Sequence, residues 1–325
     1  MNRACWVLAV TLAATASAPV AAQDTVRFTP TVGYPTFAVR EPVLRIKPNT
    51  VLISKTNFGG YYTAEGGDFP GEVGPIYVEG ATTNDMLLVE VIAVTPNYQT
   101  AASRVRAGFG SLSGDQGVRM LNDPIPTRRY VWQLDHDKMT GKTELPNSRL
   151  RTVEIDLQPM LGRVAVAPRG DEAFGGLWPG DFGGNMDAPE VRAGTTVYLP
   201  VFHDGAYFYF GDGHARQGHG ELAGTGLETS MDVVFRIDVV KGKAIRWPRL
   251  EDDRYIMVAG SARPLVDAFR IAHVELIEWL EQDYGFDRWD AYALMGQVAE
   301  STIANVVDPF YTIVAKFPKK YLPRE

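Results

Sequence analysis

Residues 211–221 read GDGHARQGHGE and place Asp212, His214, His219 and Glu221 among four glycines. Imidazoles and carboxylates are the side chains that exchange protons near neutral pH and that hold borderline or hard divalent cations. Glycine loses more conformational freedom on folding than any other residue, so a stretch this rich in it marks a sharp turn or a close approach. In extended backbone residues two apart share a face, so Asp212 and His214 project together, and beyond Gly218 so do His219 and Glu221. Two chemistries suit this set: a cation held by imidazole and carboxylate, or a water activated by a general base. The plainer alternative is that Asp and His hydrogen-bond the backbone of a tight turn, as they often do.

Two further clusters join carboxylates to glycine. Residues 183–187 read GGNMD, with Asn185 and Asp187, and residues 74–81 read GPIYVEGA, where Glu79 interrupts an apolar strand. Other catalytic vocabularies are missing. The single cysteine, Cys5, lies in the leader, which closes the thiol-nucleophile routes in the mature chain. There is no G-x-S-x-G elbow, H-E-x-x-H pair, Walker A loop or strand-linked G-x-G-x-x-G.

The elements that must position these groups read mostly as strands. The runs at 50–55, 86–92, 151–157 and 232–240 are short, β-branched and bounded by Gly, Pro, Asn or Asp. Residues 195–210 read as two strands around the turn His203-Asp204-Gly205, so GDGH falls at the end of the second. Beyond residue 250 the period changes. Leu265, Phe269, Ala272, Leu276 and Leu280 predict one apolar face of a helix that begins after Pro264. Trp289, Tyr292, Met295, Val298 and Ile303 predict a second helix ending before Pro309, and Tyr311, Ile313, Ala315 and Phe317 alternate as a closing strand. The Gly- and Pro-rich stretches at 59–75 and 168–184 read as long loops.

The expected fold class is mainly β. Three segments follow: an export signal at 1–22, a β-rich body at 23–250, and C-terminal helices with a closing strand packed on the body at 251–325. The signal is read from Arg3, the apolar run from Trp6 and the small residues at Val20 and Ala22, and it places the mature protein in the periplasm or outside the cell with no membrane span. An excess of 39 acidic over 32 basic residues, without a basic cluster, argues against nucleic acid as a partner.

Taken in order, GPIYVEGA from Gly74, QPMLGRVAVAP from Gln158, GGNMD from Gly183 and GDGHARQGHGELAGTGLE from Gly211 to Glu228 resemble the signature segments of the acetamidase/formamidase family. The resemblance covers nearly the whole mature chain. It implies a jelly-roll or β-sandwich body with smaller α/β additions, hydrolysis of short linear amides to carboxylate and ammonia, and a homo-oligomer, the commonest state of such chains. Two departures change charge: His219 stands where the family usually has Asp, and Asn57 where relatives often have Asp.

Within that frame Asp187, Asp212 and His214 are expected to gather a divalent cation, zinc first and calcium as the alternative, or to orient the attacking water. Glu221, or failing it Glu79, is the expected general base, with His219 beside it as a titrating group. Asn185, Glu228 and the backbone of Gly213 are expected to touch the amide substrate. A larger amide, lactam or ester as substrate, and a non-catalytic metal-containing binding protein, are the competing readings. The aromatics at 61, 62 and 207–210 would line a wider pocket under the first of these.

Overall fold

The structure, a computed structural model, describes residues 24–56, 71–113 and 125–323. The expected signal at 1–22 and the residues Asn57, Tyr61 and Tyr62 lie outside this range. The four β-branched runs form the strands Thr50–Lys55, Met86–Pro96, Arg151–Asp156 and Met231–Val240. Their branched side chains pack well on a pleated surface, and one face of each of the three that enter the large sheet is buried.

Nine strands make that sheet, in the order Thr25–Arg27, Thr50–Lys55, Met231–Val240, Met86–Pro96, Thr195–Pro200, Arg249–Glu251, Tyr255–Ala262, Tyr311–Pro318 and Glu300–Asn305. A six-stranded sheet runs Pro179–Gly180, Gly183–Asn185, Met160–Ala165, Phe208–His214, Val73–Val78 and Leu44–Ile46. The two share one core. Phe208 and Phe210 stack at 5.9 Å on the smaller sheet, and Phe235 of the larger meets them edge-on at 5.9 and 5.1 Å. Each such ring contributes roughly 1.5–3 kcal/mol by leaving water. Thr195–Pro200 and Phe208–His214 therefore belong to different sheets, so the expected hairpin around 203–205 is instead a crossing between layers. The rings at 208–210 fill the core.

The helices cover part of the outer face of the large sheet. Tyr255–Ala262 is buried on both sides: Met257 and Ala259 face the sandwich, while Ile256 and Val258 face the helices. Alternation along a strand permits this double burial. The helix Leu265–Tyr284 (α1) stops at Gly285, whose φ of 67° is the left-handed conformation of a helix terminus. Arg288–Val298 (α2) is capped by the Asp287 carboxylate, which accepts from the N–H groups of Trp289 and Asp290. The apolar period reaches past the buried surface, and Trp289 and Tyr292 of α2 are 70% and 62% exposed. Phe269 is 45% exposed, the buried face of α1 being Ala268, Ala272, Leu276, Trp279 and Leu280. Ile303 sits not in α2 but in the strand Glu300–Asn305, because Val298 ends the helix and the chain turns back to pair with Tyr311–Pro318.

The strand Arg249–Glu251 straddles the boundary expected at 250 and joins body strands to C-terminal ones within a single sheet. Among the described residues no helix is long and apolar enough to cross a membrane. Since Leu276 is fully buried between α1 and the sheet whereas Val274 is 51% exposed, Leu276→Ala should cost about 2–5 kcal/mol and Val274→Ala less than about 0.5 kcal/mol, measured by denaturant unfolding.

Candidate active site

Four neighbouring strands of the smaller sheet each deliver a polar residue to one end. Gly183–Asn185 brings Asn185 and, just past its end, Asp187; Met160–Ala165 brings Arg163; Phe208–His214 brings Asp212 and His214; and Glu72 precedes Val73–Val78. The turn at 219–221 adds Glu221, and Glu228 is bridged to both His214 and Ala102. All of these side chains are buried.

Their packing explains the glycines. A Cβ on Gly162 would stand 2.4 Å from Asp187 Oδ1 and 2.6 Å from Asp212 Oδ2, one on Gly211 2.3 Å from Glu72 Oε2, and one on Gly226 2.7 Å from His214 Nδ1. Space, more than freedom of φ, is what these positions require. Strain falls on the acids instead: Asp187, Asp212 and Glu221 have φ of 45°, 59° and 48°. Left-handed backbone in a residue with a Cβ costs of order 1 kcal/mol or more and gathers at functional sites.

Hydrogen bonds settle the state of His214. Gln217 Nε2 donates to the carbonyls of Asp187 at 2.7 Å and Ala304 at 3.0 Å, so its Oε1 is left as the acceptor 2.8 Å from His214 Nδ1. Nδ1 therefore carries the hydrogen. Nε2 then faces Glu228 Oε1 at 3.2 Å and Asp212 Oδ2 at 3.6 Å. A bare lone pair against two carboxylates is repulsive, so this nitrogen holds either a proton or a cation. Burial lowers the pKa of His214, and the charges of Glu228 and Asp212 outweigh it and hold the group well above the usual imidazole range.

The acids respond unequally. Burial raises Asp212, but Arg163 and His214 outweigh it and hold it at about 2. Asp187 is pushed well above the usual range by burial and then by the charges of Glu221, Asp308 and Asp212. Burial also pushes Glu221 up, with His214 opposing and Asp308 and Glu228 reinforcing. Two overlapping sets, Asp187–His214–Glu221 and Asp212–His214–Glu228, keep their ligand atoms within 4.8 Å of one another. Asp187 Oδ1 is buried without a hydrogen-bond partner. Imidazole, several carboxylates and an unpartnered buried oxygen fit a divalent cation of the zinc type.

Of the expected residues, Asp187, Asp212, His214, Glu221, Glu228 and Asn185 are brought together. Asn185 is committed within the cluster: its amide donates to Asp187 Oδ2 at 2.8 Å and Asp308 Oδ2 at 2.6 Å, and its oxygen accepts from Arg163 Nε at 2.5 Å. Gly213 faces Met231 and the Thr229 carbonyl in the core, not a substrate. Glu79 lies in an exposed turn just past its strand, and His219 is exposed while Glu221 is buried. The positive φ of Gly220 and Glu221 breaks the alternation that would have kept that pair on one face.

Four residues escaped the sequence reading. Gln217 stands three residues after His214 inside the motif, and Arg163 inside PMLGR, so both had a local signal. Glu72 and Asp308 had none. Glu72 Oε1 pairs with Arg163 Nη1 at 2.8 Å. Asp308 arrives from the loop between the last two strands, and Asn305 Nδ2 donates to the carbonyls of Asn185 at 3.2 Å and Met186 at 3.3 Å.

The cavity over this cluster encloses about 320 Å³ and is lined by Arg163, Asn185, Asp212, Glu221, Glu228 and Asp308, with Arg104, Arg106, Phe109 and Leu177 among the remainder. Residues 170–321 match the Acetamidase/Formamidase family. An acetamidase of Mycolicibacterium smegmatis is 26% identical over 216 residues, covering 52% of this chain and 53% of that protein, so the match spans about half the length of this curated relative. The crystal structure of an acetamidase from Yersinia enterocolitica superposes with a TM-score of 0.81 at 32% identity, covering 93% of this chain and 94% of that one. An acetamidase structure from Bacillus halodurans gives a TM-score of 0.77 at 25% identity, covering 91% and 98%.

Two outcomes follow from this geometry. Gly162→Ala should fold yet displace Asp187 and Asp212, and a crystal structure of the variant together with its metal content by mass spectrometry would show the loss. Burial, opposed by the charge of Arg163 and reinforced by Asp212, raises Glu72 to about 8. A carboxyl raised on folding contributes stability that is complete below its unfolded pKa and is lost as pH rises toward the folded value. Chelated protein should therefore lose a few kcal/mol between about pH 4.5 and 8, and Glu72→Gln should flatten that slope in thermal melts.

Proposed function

The chain belongs to the acetamidase/formamidase family, and from that premise we propose that it hydrolyses the C–N bond of a linear amide, releasing the carboxylate and ammonia. The observation that carries the reading is His214 Nε2 buried among Asp212, Glu228, Asp187 and Glu221 beside an open cavity. Amides resist attack because resonance stabilises the C–N bond and because amide anion is a poor leaving group. Catalysis therefore needs charge stabilisation on the carbonyl oxygen and a proton for the nitrogen.

His214, Asp187 and Asp212 would hold a divalent cation, with Gln217 fixing the imidazole from behind and Arg163 with Asn185 fixing the carboxylates. When bound, such a cation supplies Lewis acidity that polarises a carbonyl and lowers the pKa of a neighbouring water. Glu221 is suited to proton transfer because it lines the cavity and burial raises its carboxyl above the ordinary range. It takes a proton from the attacking water as oxygen bonds to the carbonyl carbon, and returns it to nitrogen as the C–N bond breaks. Glu228, lining the cavity, can accept from the amide N–H groups. The imidazole nitrogen at the centre disfavours a calcium-holding binder, since calcium prefers an all-oxygen shell. An exported protein and a homo-oligomer belong to the same reading.

Purified protein should release ammonia from formamide, acetamide or propionamide. Chelation should abolish the release and metal add-back restore it, and Glu221→Gln and Asp212→Asn should each lose at least about 100-fold in kcat. Gln217→Leu should weaken metal binding by about 10–100-fold while leaving the fold intact. Absence of ammonia from every amide, with metal still bound, would overturn the proposal.

A further inference from the structure

The cavity is larger than the smallest amides require. Its volume of about 320 Å³ lies at the lower end of pockets for drug-sized molecules and equals that of about ten waters at roughly 30 Å³ each. Formamide or acetamide would leave most of it unfilled. The lining is also polarised. Asp212, Glu221, Glu228 and Asp308 are buried, whereas Arg106 is exposed, Arg104 half-buried and Phe109 half-buried, so the acids form the floor and the arginines the mouth.

The mouth is registered to the floor by backbone. Ala102 and Glu228 exchange N–H···O bonds of 2.9 Å in both directions, and the Arg104 N–H donates to Thr225 Oγ1 at 3.0 Å. Ala102 and Arg104 occupy alternate positions of the strand Thr100–Val105, which share a face, and Arg106 follows the strand's end, bridged to Phe109. Arg104 therefore lies about 7 Å along the strand from the residue that is bridged to Glu228. The Arg106 guanidinium lies over the Phe109 ring, 4.3 Å from its centroid, which orients the charge. Arg129 stands directly opposite Arg104 in the ladder.

Resting on the amide-hydrolysis reading, we propose that the preferred substrates are linear amides whose far end carries a carboxylate, held by Arg104 and Arg106 while the neutral amide lies on the acidic floor. The polarity of the mouth sets the direction of entry: the arginines repel an ammonium end and attract a carboxylate. The apolar walls at Phe109 and Leu177 suit a short methylene spacer.

The test compares kcat/KM for succinamate, glutaramate and adipamate with that for neutral amides of equal length, and with an ammonium-ended series. One carboxylate-ended member should exceed its neutral counterpart by about tenfold or more at low ionic strength, and added salt should erode the ratio. Arg104→Gln with Arg106→Gln should bring the ratio near one, and the paired lysine variants should restore part of it. A wild-type ratio near one, or a ratio insensitive to salt and to both variants, overturns the proposal. If no amide is turned over, the hydrolysis reading fails by itself, and calorimetry with glutarate against pentanoate still decides recognition. Tighter binding of glutarate that the glutamine variants abolish supports it, and equal binding sinks it.

Discussion

Six carboxylates, those of Glu72, Asp187, Asp212, Glu221, Glu228 and Asp308, are buried around one imidazole and one guanidinium. Like charges about 4 Å apart at an effective dielectric of 20 repel by roughly 4 kcal/mol per pair, so such a cluster cannot be fully ionised without compensation. The protein answers by protonation, by pairing and by a geometry fit to receive a cation. Asp187, Glu221 and Asp308 are raised, Asp212 is neutralised by Arg163, and His214 Nε2 is turned inward between two oxygens. The glycines that leave space and the positive φ angles that aim the acids are subordinate to this one electrostatic problem.

The same constraint explains what could be read from sequence. Strands were legible because β-branched runs bounded by turn residues report on a half-buried sheet, as at Thr50–Lys55 and Met231–Val240. The members of the cluster held within one motif, Asp212, His214, Glu221 and Glu228, were legible by residue type. Their orientation was only half so. Strand alternation kept Asp212 with His214, but it failed for His219 and Glu221, where backbone beyond Gly218 leaves the extended region. Glu79 lies in an exposed turn outside the cluster, and an acid after an apolar run looks the same whether it ends the strand or points into a site.

Glu72 and Asp308 were illegible for a different reason. Each reaches the cluster through pairing between segments far apart in sequence, and no local pattern encodes such pairing. The ladder that sets Phe208–His214 against Val73–Val78 brings Glu72 beside Arg163, and the edge strand Glu300–Asn305 carries Asp308 behind it. The large sheet runs through the boundary expected at 250 without a break.

That edge strand does more than complete a sheet. The Ala304 carbonyl holds Gln217, the Asn305 side chain holds the backbone at 185 and 186, and the Val306 N–H donates to the Gly220 carbonyl. The segments around 185, 217 and 220 are therefore clasped by residues that follow them far along the chain. A chain clipped before residue 304 lacks the clasp however well the rest of its sandwich has formed.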